Sequence, residues 1–143
     1  MTISIILASK GREVVTIAPS ASLASALGLL VEKCIGAVLI LGADRRVVGI
    51  LSERDVVRAL AERGGGALDE PVSQTMTREV STCNENESVF NIMERMTDER
   101  SRHVPVVDQG QLVGIVSIGD VVKHRLEVME RDSAAMHNYI LTS

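Results

Sequence analysis

Residues 49–57, Gly-Ile-Leu-Ser-Glu-Arg-Asp-Val-Val, return as residues 114–122, Gly-Ile-Val-Ser-Ile-Gly-Asp-Val-Val, at a constant offset of 65 (114 − 49). An internal repeat constrains a fold strongly, because each copy must be one structural unit that packs on the other. The match extends upstream. Arg12-Glu13-Val14 answers Arg78-Glu79-Val80, Thr16 answers Thr82, and Ser22-Leu23 answers Ser88-Val89, now at an offset of 66 (78 − 12). The apolar runs Val38–Leu41 and Val104–Val107 share that offset. One residue is therefore lost between Gly42-Ala43-Asp44-Arg45 and Asp108-Gln109-Gly110, where turn residues make a length change cheap.

Two copies of this size are each marginal alone, since small units bury too little surface. One shared pseudo-symmetric core is expected. Aromatics are nearly absent, with Phe90 and Tyr139 and no Trp, so the core falls to Val, Ile, Leu, Ala and Met. The same shortage leaves no stacking platform for single-stranded nucleic acid, and the net charge of −4 argues against a nucleic-acid partner. No apolar run reaches the ~20 residues of a membrane helix. The N-terminus lacks the basic start and cleavage site of a secretory signal, so a cytoplasmic setting is expected. Cys34 and Cys83 are isolated, which predicts two reduced, partly buried thiols rather than a redox pair.

The periodicity predicts strand, helix, strand, strand, helix in each copy. Val14 to Ile17 reads as a short strand. Leu23, Ala26, Leu27 and Leu30 then fall on one helical face behind an N-cap at Ser22, and Val89, Ile92, Met93 and Met96 repeat this behind Ser88. Gly36 to Leu41 and Val47 to Leu51 predict a hairpin covered on both faces. A helix over Glu53 to Arg63 is stopped by Gly64-Gly65-Gly66. Ile3 to Ser9 predicts a leading helix ended by Gly11, and a short helix is expected after Pro71. The last helix runs from Ile118 toward Leu141. Its stripe of Val122, Leu126, Met129, Ser133, Met136 and Ile140 has coiled-coil spacing. Either its own domain covers this stripe or a second copy of the chain does, and symmetric dimers are the commonest assembly.

Ser52 and Asp55, like Ser117 and Asp120, stand where a strand meets a helix. Two readings are open. Ser and Asp are ordinary N-cap residues. They are also suited to a ligand: free N–H groups at a helix start accept an anion, and a carboxylate accepts from paired hydroxyls such as those of a ribose. Arg100-Ser101-Arg102-His103 adds cationic donors suited to phosphate, with His103 contributing if it is protonated. The matching Ile35-Gly36-Ala37 carries no charge. Two related but chemically unequal pockets are expected.

The repeat of strand, helix, strand, strand, helix ending in G-h-h-S-x-x-D-h-h, with Val104-Pro105-Val106-Val107 as a second strand, resembles the cystathionine-β-synthase (CBS) domain pair, or Bateman module. The resemblance covers residues 12–125. It implies an α/β (α+β) fold of tandem β-α-β-β-α repeats forming one pseudo-two-fold module: CBS motif 1 over 12–63, a linker over 64–77, CBS motif 2 over 78–125 and a C-terminal helix extension over 126–143. It further implies two clefts that bind an adenine nucleotide such as AMP, ATP or NAD. Carried over, one cleft uses Ser52, Arg54 and Asp55 with Thr82, Arg102, His103 and Pro105. The other uses Ser117 and Asp120 with Thr16, Gly36 and Ala37. The expected function is non-catalytic nucleotide sensing, relayed to an effector protein by a homodimer. A homodimeric scaffold without a nucleotide is the alternative. An enzyme is disfavoured, since no nucleophile–base pair or metal cluster is legible and His103, His124 and His137 are scattered.

Overall fold

The alternation of apolar runs is realised as α1 (Ile3–Lys10), β1 (Thr16–Ile17), α2 (Leu23–Lys33), β2 (Ala37–Leu41), β3 (Val47–Ser52), α3 (Glu53–Arg63), α4 (Val89–Glu99), β4 (His103–Asp108), β5 (Gln111–Ser117) and α5 (Ile118–Thr142). The computed structural model describes residues 1–142; Ser143, the last residue of the expected C-terminal extension, lies outside them. Short 3₁₀ turns cover Ala43–Arg45, Gly64–Asp69 and Val72–Gln74, the last being the helical turn expected after Pro71.

The pseudo-symmetry reaches the details of the helix ends. Ser22 accepts from the Ser25 N–H and Ser88 from the Asn91 N–H, so both helices start on the expected caps. They end on Cys34 and Arg100, equivalent positions that both take left-handed backbone, at φ 53° and 54°. Such a conformation costs a non-glycine residue about 1–2 kcal/mol, so its duplication marks a turn imposed by the fold. The hairpins share one register. Ala37 stands opposite Ser52 and His103 opposite Ser117, and both ladders shift at the same place, after Ile40 and after Val106.

Three expectations need correction. The first concerns the opening strand. In copy one β1 runs parallel to β2, and the Leu39 N–H reaches the Val15 carbonyl at 3.2 Å. In copy two only one bridge survives, Cys83 to Val106. The residue equivalent to Leu39 is Pro105, which has no N–H to give, so the ladder cannot extend past it.

The second concerns the core, which is two clusters rather than one. One gathers Leu23, Ala26, Leu30, Val38, Ile40, Leu51, Val56 and Ala59 with Ala67, Val72 and Met76 from the linker. The other gathers Val89, Ile92, Met96, Val104, Val106, Val116 and Val121 with Ile3, Ile6 and Leu7 from α1. The leading helix therefore serves the second copy, and the linker serves the first. Two glycines of the repeat explain the fit. A Cβ on Gly49 would lie 2.4 Å from Met76 Sδ, and one on Gly114 would lie 2.9 Å from Leu7 Cδ2. Each copy keeps a bare backbone so that a segment from outside the repeat can lie against it.

The third concerns Cys34, which is exposed rather than partly buried. Cys83 is buried, and its thiol is pushed up to about 12 by burial and by the nearby Glu87, against a smaller opposing effect of Arg95. It is a core residue without thiolate character at neutral pH.

Beyond the core, α5 carries an uncovered stripe. Val122, Leu126, Met129, Met136 and Ile140 are all exposed, so the domain itself does not cover them. Among the described residues, no helix is long and apolar enough to cross a membrane.

Candidate functional site

Each β-to-α junction is built by a Ser and an Asp that cap each other. At α3 the Ser52 N–H donates to Asp55 Oδ2 at 2.9 Å, and the Asp55 N–H donates to Ser52 Oγ at 3.4 Å. At α5 the Ser117 N–H donates to Asp120 Oδ2 at 2.8 Å, and the Asp120 N–H donates to Ser117 Oγ at 3.2 Å. The capping reading is therefore realised at both positions. It leaves Oδ1 of each carboxylate outside the cap as a further acceptor, that of Asp55 lying 3.7 Å from Arg58 Nη1.

The junctions open onto two cavities. The first, of about 320 Å³, is lined from copy one by Ile50, Ser52, Glu53, Arg54 and Asp55. Copy two supplies Glu79-Val80-Ser81 and Glu99 to His103. The second, of about 410 Å³, is lined from copy two by Ile115, Ser117 and Asp120, and from copy one by Glu13-Val14-Val15 and Cys34 to Ala37. These are the same positions exchanged: 79–81 answers 13–15, and 100–103 answers 34–37. Both cavities are of ligand-binding size, and each is walled by both copies.

The clefts meet at Gly36 and His103, which line both. A Cβ on Gly36 would lie 3.5 Å from His103 Cε1. A side chain there would press on the imidazole that separates the two cavities. Burial pushes the His103 pKa down; Asp120 and Glu53 oppose this, while Lys10 and Arg102 reinforce it. The ring is therefore neutral at pH 7. The cationic role expected for His103 is corrected: it offers a hydrogen bond and an apolar face, and the positive charge of the first cleft rests on Arg54, Arg100 and Arg102.

The structure brings Ser52, Arg54, Asp55, Arg102 and His103 together in one cleft, and Ser117, Asp120, Gly36 and Ala37 in the other. Three expected residues do not line either cavity. Pro105 is buried in β4, where its carbonyl accepts from the Cys83 N–H. The Thr82 carbonyl is taken by Arg95 at 2.8 Å, and Thr16 is engaged in β1 beside Leu39. The adjacent backbone, 13–15 and 79–81, lines the clefts in their place. Sequence reasoning also missed Lys10. Its ammonium donates to Asp120 Oδ2 at 2.6 Å and to the Ile115 carbonyl at 2.9 Å. Burial raises the Asp120 pKa, but the Lys10 and Ser117 hydrogen bonds and the Lys10 charge prevail and hold the carboxyl below its usual range. The only sequence signal for Lys10 was its position, one residue before the Gly11 that ends α1. Among the described residues no cluster of three or more His, Cys, Asp or Glu could hold a metal ion.

Comparison with known proteins agrees with this fold. The family model described as CBS domain matches residues 10–62 and again 72–127. A CBS domain-containing protein of Bacillus subtilis is 31% identical over 124 residues, covering 85% of this chain and 86% of the relative. The chain spans only 53% of a mitochondrial CBS domain-containing protein of Arabidopsis thaliana, so relatives differ in length. The crystal structure of a CBS-domain-containing protein of Agrobacterium tumefaciens superposes with a TM-score of 0.83 at 47% identity, over 87% of this chain and 92% of that one. A CBS domain protein of Pyrobaculum aerophilum, solved in complex with AMP, superposes with a TM-score of 0.79 at 29% identity, over 93% and 99% of the two chains.

Proposed function

The chain belongs to the CBS domain family, and from that premise we propose that it is a non-catalytic regulatory module that binds an adenine nucleotide, AMP, ATP or NAD, in the clefts between its two copies. The observation that carries this reading is the exchanged lining. Two cavities of about 320 and 410 Å³ are walled by equivalent positions, and each holds a helix-capping carboxylate with one oxygen outside its cap. The AMP complex of the Pyrobaculum relative supports the ligand class. In the first cleft Asp55 Oδ1 accepts from ribose hydroxyls, and Arg54 and Arg102 hold phosphate. In the second, Asp120 takes the place of Asp55. Ligand pulls the two copies together, because each cleft has walls from both.

The exposed apolar residues of α5 support a homodimer in which this stripe packs on its equivalent. Occupancy of the clefts then alters the dimer surface offered to an effector protein. Replacing Leu126 and Met129 by Glu is expected to convert a sedimenting dimer to monomer. An unchanged dimer places the interface elsewhere.

Calorimetric titration and thermal melting with AMP, ATP and NAD test the nucleotide reading. A ligand at 100 times its Kd adds about 2.7 kcal/mol to stability. No binding of any of the three, or binding that survives replacement of both Asp55 and Asp120 by Ala, overturns it.

A further inference from the structure

The second cleft lacks every arginine of the first. The positions that carry Arg100, Ser101, Arg102 and His103 in one carry Cys34, Ile35, Gly36 and Ala37 in the other, and Arg54 is answered by Gly119. His103, which reaches into both, is neutral. Yet the second cleft has one cation among its lining residues: Lys10, from the last turn of the leading helix. Resting on the nucleotide reading above, we infer that Lys10 is the phosphate-recognising residue of the second cleft, which makes that cleft selective for a nucleoside monophosphate while the arginines of the first accept longer phosphate chains.

Three observations carry this. Lys10 is held in place, with its side chain 29% exposed and two hydrogen bonds on cleft groups, Asp120 Oδ2 and the Ile115 carbonyl. An ammonium has three N–H donors, so one remains for a ligand oxygen. It is also a single compact charge, whereas the first cleft has three guanidinium groups in its lining, each able to hold phosphate with two parallel bonds. One point charge matches one phosphoryl group.

The third observation is that Lys10 engages the capping carboxylate itself. In the first cleft Ser52 Oγ donates to Asp55 Oδ2 at 3.1 Å. In the second, Asp120 Oδ2 takes the Lys10 ammonium as well as the Ser117 N–H, so this carboxylate is held by a cation that Asp55 Oδ2 lacks. Lys10 thus presents its remaining donor beside the carboxylate that receives ribose, where a 5′-phosphate attached to that ribose arrives. The element is also different in origin. The residue at Lys10's place in the repeat is Met76, an apolar plug under Gly49, so this recognition exists in one cleft only.

Calorimetric titration of the full chain with adenosine, AMP and ATP tests the assignment, comparing wild type with Lys10→Met, Lys10→Arg and Arg102→Met. Wild type is expected to show two AMP events. Lys10→Met weakens one of them about tenfold or more, leaves adenosine at that site within about twofold, and does not touch the other event. Lys10→Arg restores AMP binding there, and Arg102→Met weakens the other event. The inference is overturned if Lys10→Met leaves the preference for AMP over adenosine unchanged. It is equally overturned if that variant tightens both ligands alike, which would make Lys10 a lock on Asp120, or if Lys10 and Arg102 weaken the same event. If wild type binds none of the three ligands, the nucleotide reading fails and the role of Lys10 goes with it. If wild type binds AMP twice and Lys10→Met is silent, only the Lys10 assignment fails.

Discussion

Val116 and Leu51, at equivalent positions of the repeat, are both fully buried, but the helix that completes the core over each comes from a different place. Behind the second copy lies α1, with Ile3, Ile6 and Leu7; behind the first lies the linker, with Val72 and Met76. Both replacements sit on a bare glycine of the repeat, Gly114 or Gly49. The edges diverge accordingly. The Thr77 N–H and carbonyl pair with the carbonyl and N–H of Ile50, whereas the equivalent Ile115 offers its carbonyl to the Lys10 side chain. Duplication thus supplies two similar frames. Differences within the repeat make one cleft arginine-rich, and the segment that closes the second copy brings Lys10 to the other.

The largest expected effect tests whether the two cores are one cooperative body. Leu23 and Ile92 are fully buried, one in each cluster. Leu23→Ala and Ile92→Ala should each cost about 2–5 kcal/mol. Because the clusters share cleft walls, each variant should lower a single calorimetric transition. Two resolved transitions, with only one displaced by each variant, would show that the halves unfold separately.

A smaller effect separates the caps. Ser52 both accepts from the Asp55 N–H and donates to its carboxylate, whereas the Asp120 carboxylate capped by Ser117 is also held by the Lys10 ammonium. Replacing an N-cap Ser by Ala costs about 0.5–2 kcal/mol. Ser52→Ala should fall toward the upper end of that range and Ser117→Ala toward the lower, measured by urea denaturation. Equal losses would mean that Lys10 does not hold the second cap once Ser117 is removed.

Much of this was legible in the sequence. The bounds of α3, the caps at Ser22 and Ser88, the hairpins and the reach of α5 follow from periodicity and from Gly and Ser placement, which are local signals. The pairing of Ser52, Arg54 and Asp55 with Arg102 and His103 was implied by the resemblance to CBS domain pairs rather than by periodicity. What was illegible is non-local. Nothing in Ile3–Lys10 says which copy it packs on, so neither the second core nor Lys10 could be placed. The protonation of His103 depends on burial between the copies, and the expected partial burial of Cys34 gives way to an exposed position at a left-handed helix end. Pro105 is the exception: its missing N–H was visible, and the loss of the second copy's first strand follows from it directly.

His103 sharpens the comparison through pH, because the equivalent residue, Ala37, does not titrate. Burial lowers the folded-state pKa of His103 below its unfolded value. The unfolded chain therefore binds more protons in the interval between the two, and stability falls as pH drops from about 6.5 through the folded pKa. His103→Ala should flatten the stability–pH curve in that interval. Asp120 also has a lowered pKa, so its contribution is present above about pH 4 and is lost only as pH falls further, which keeps the two windows apart. An unaltered slope between pH 6.5 and 5 in His103→Ala would mean that the imidazole is protonated in the folded protein.

The smallest effect is at Pro105. Replacing it by Leu gives copy two the residue that copy one has at Leu39 and restores an N–H facing the Ser81 carbonyl. One backbone hydrogen bond adds about 0.5–1.5 kcal/mol, and releasing the proline ring in the unfolded chain removes about 0.4–1 kcal/mol. The melting temperature should therefore scarcely move, and the informative readout is hydrogen exchange. The amide of residue 105 should be protected to the same degree as that of Leu39, which bonds to the Val15 carbonyl at 3.2 Å. The amide of Cys83, already bonded to the residue 105 carbonyl at 3.0 Å, should stay protected. Fast exchange at position 105 would show that something other than the missing donor shortens the first strand of copy two.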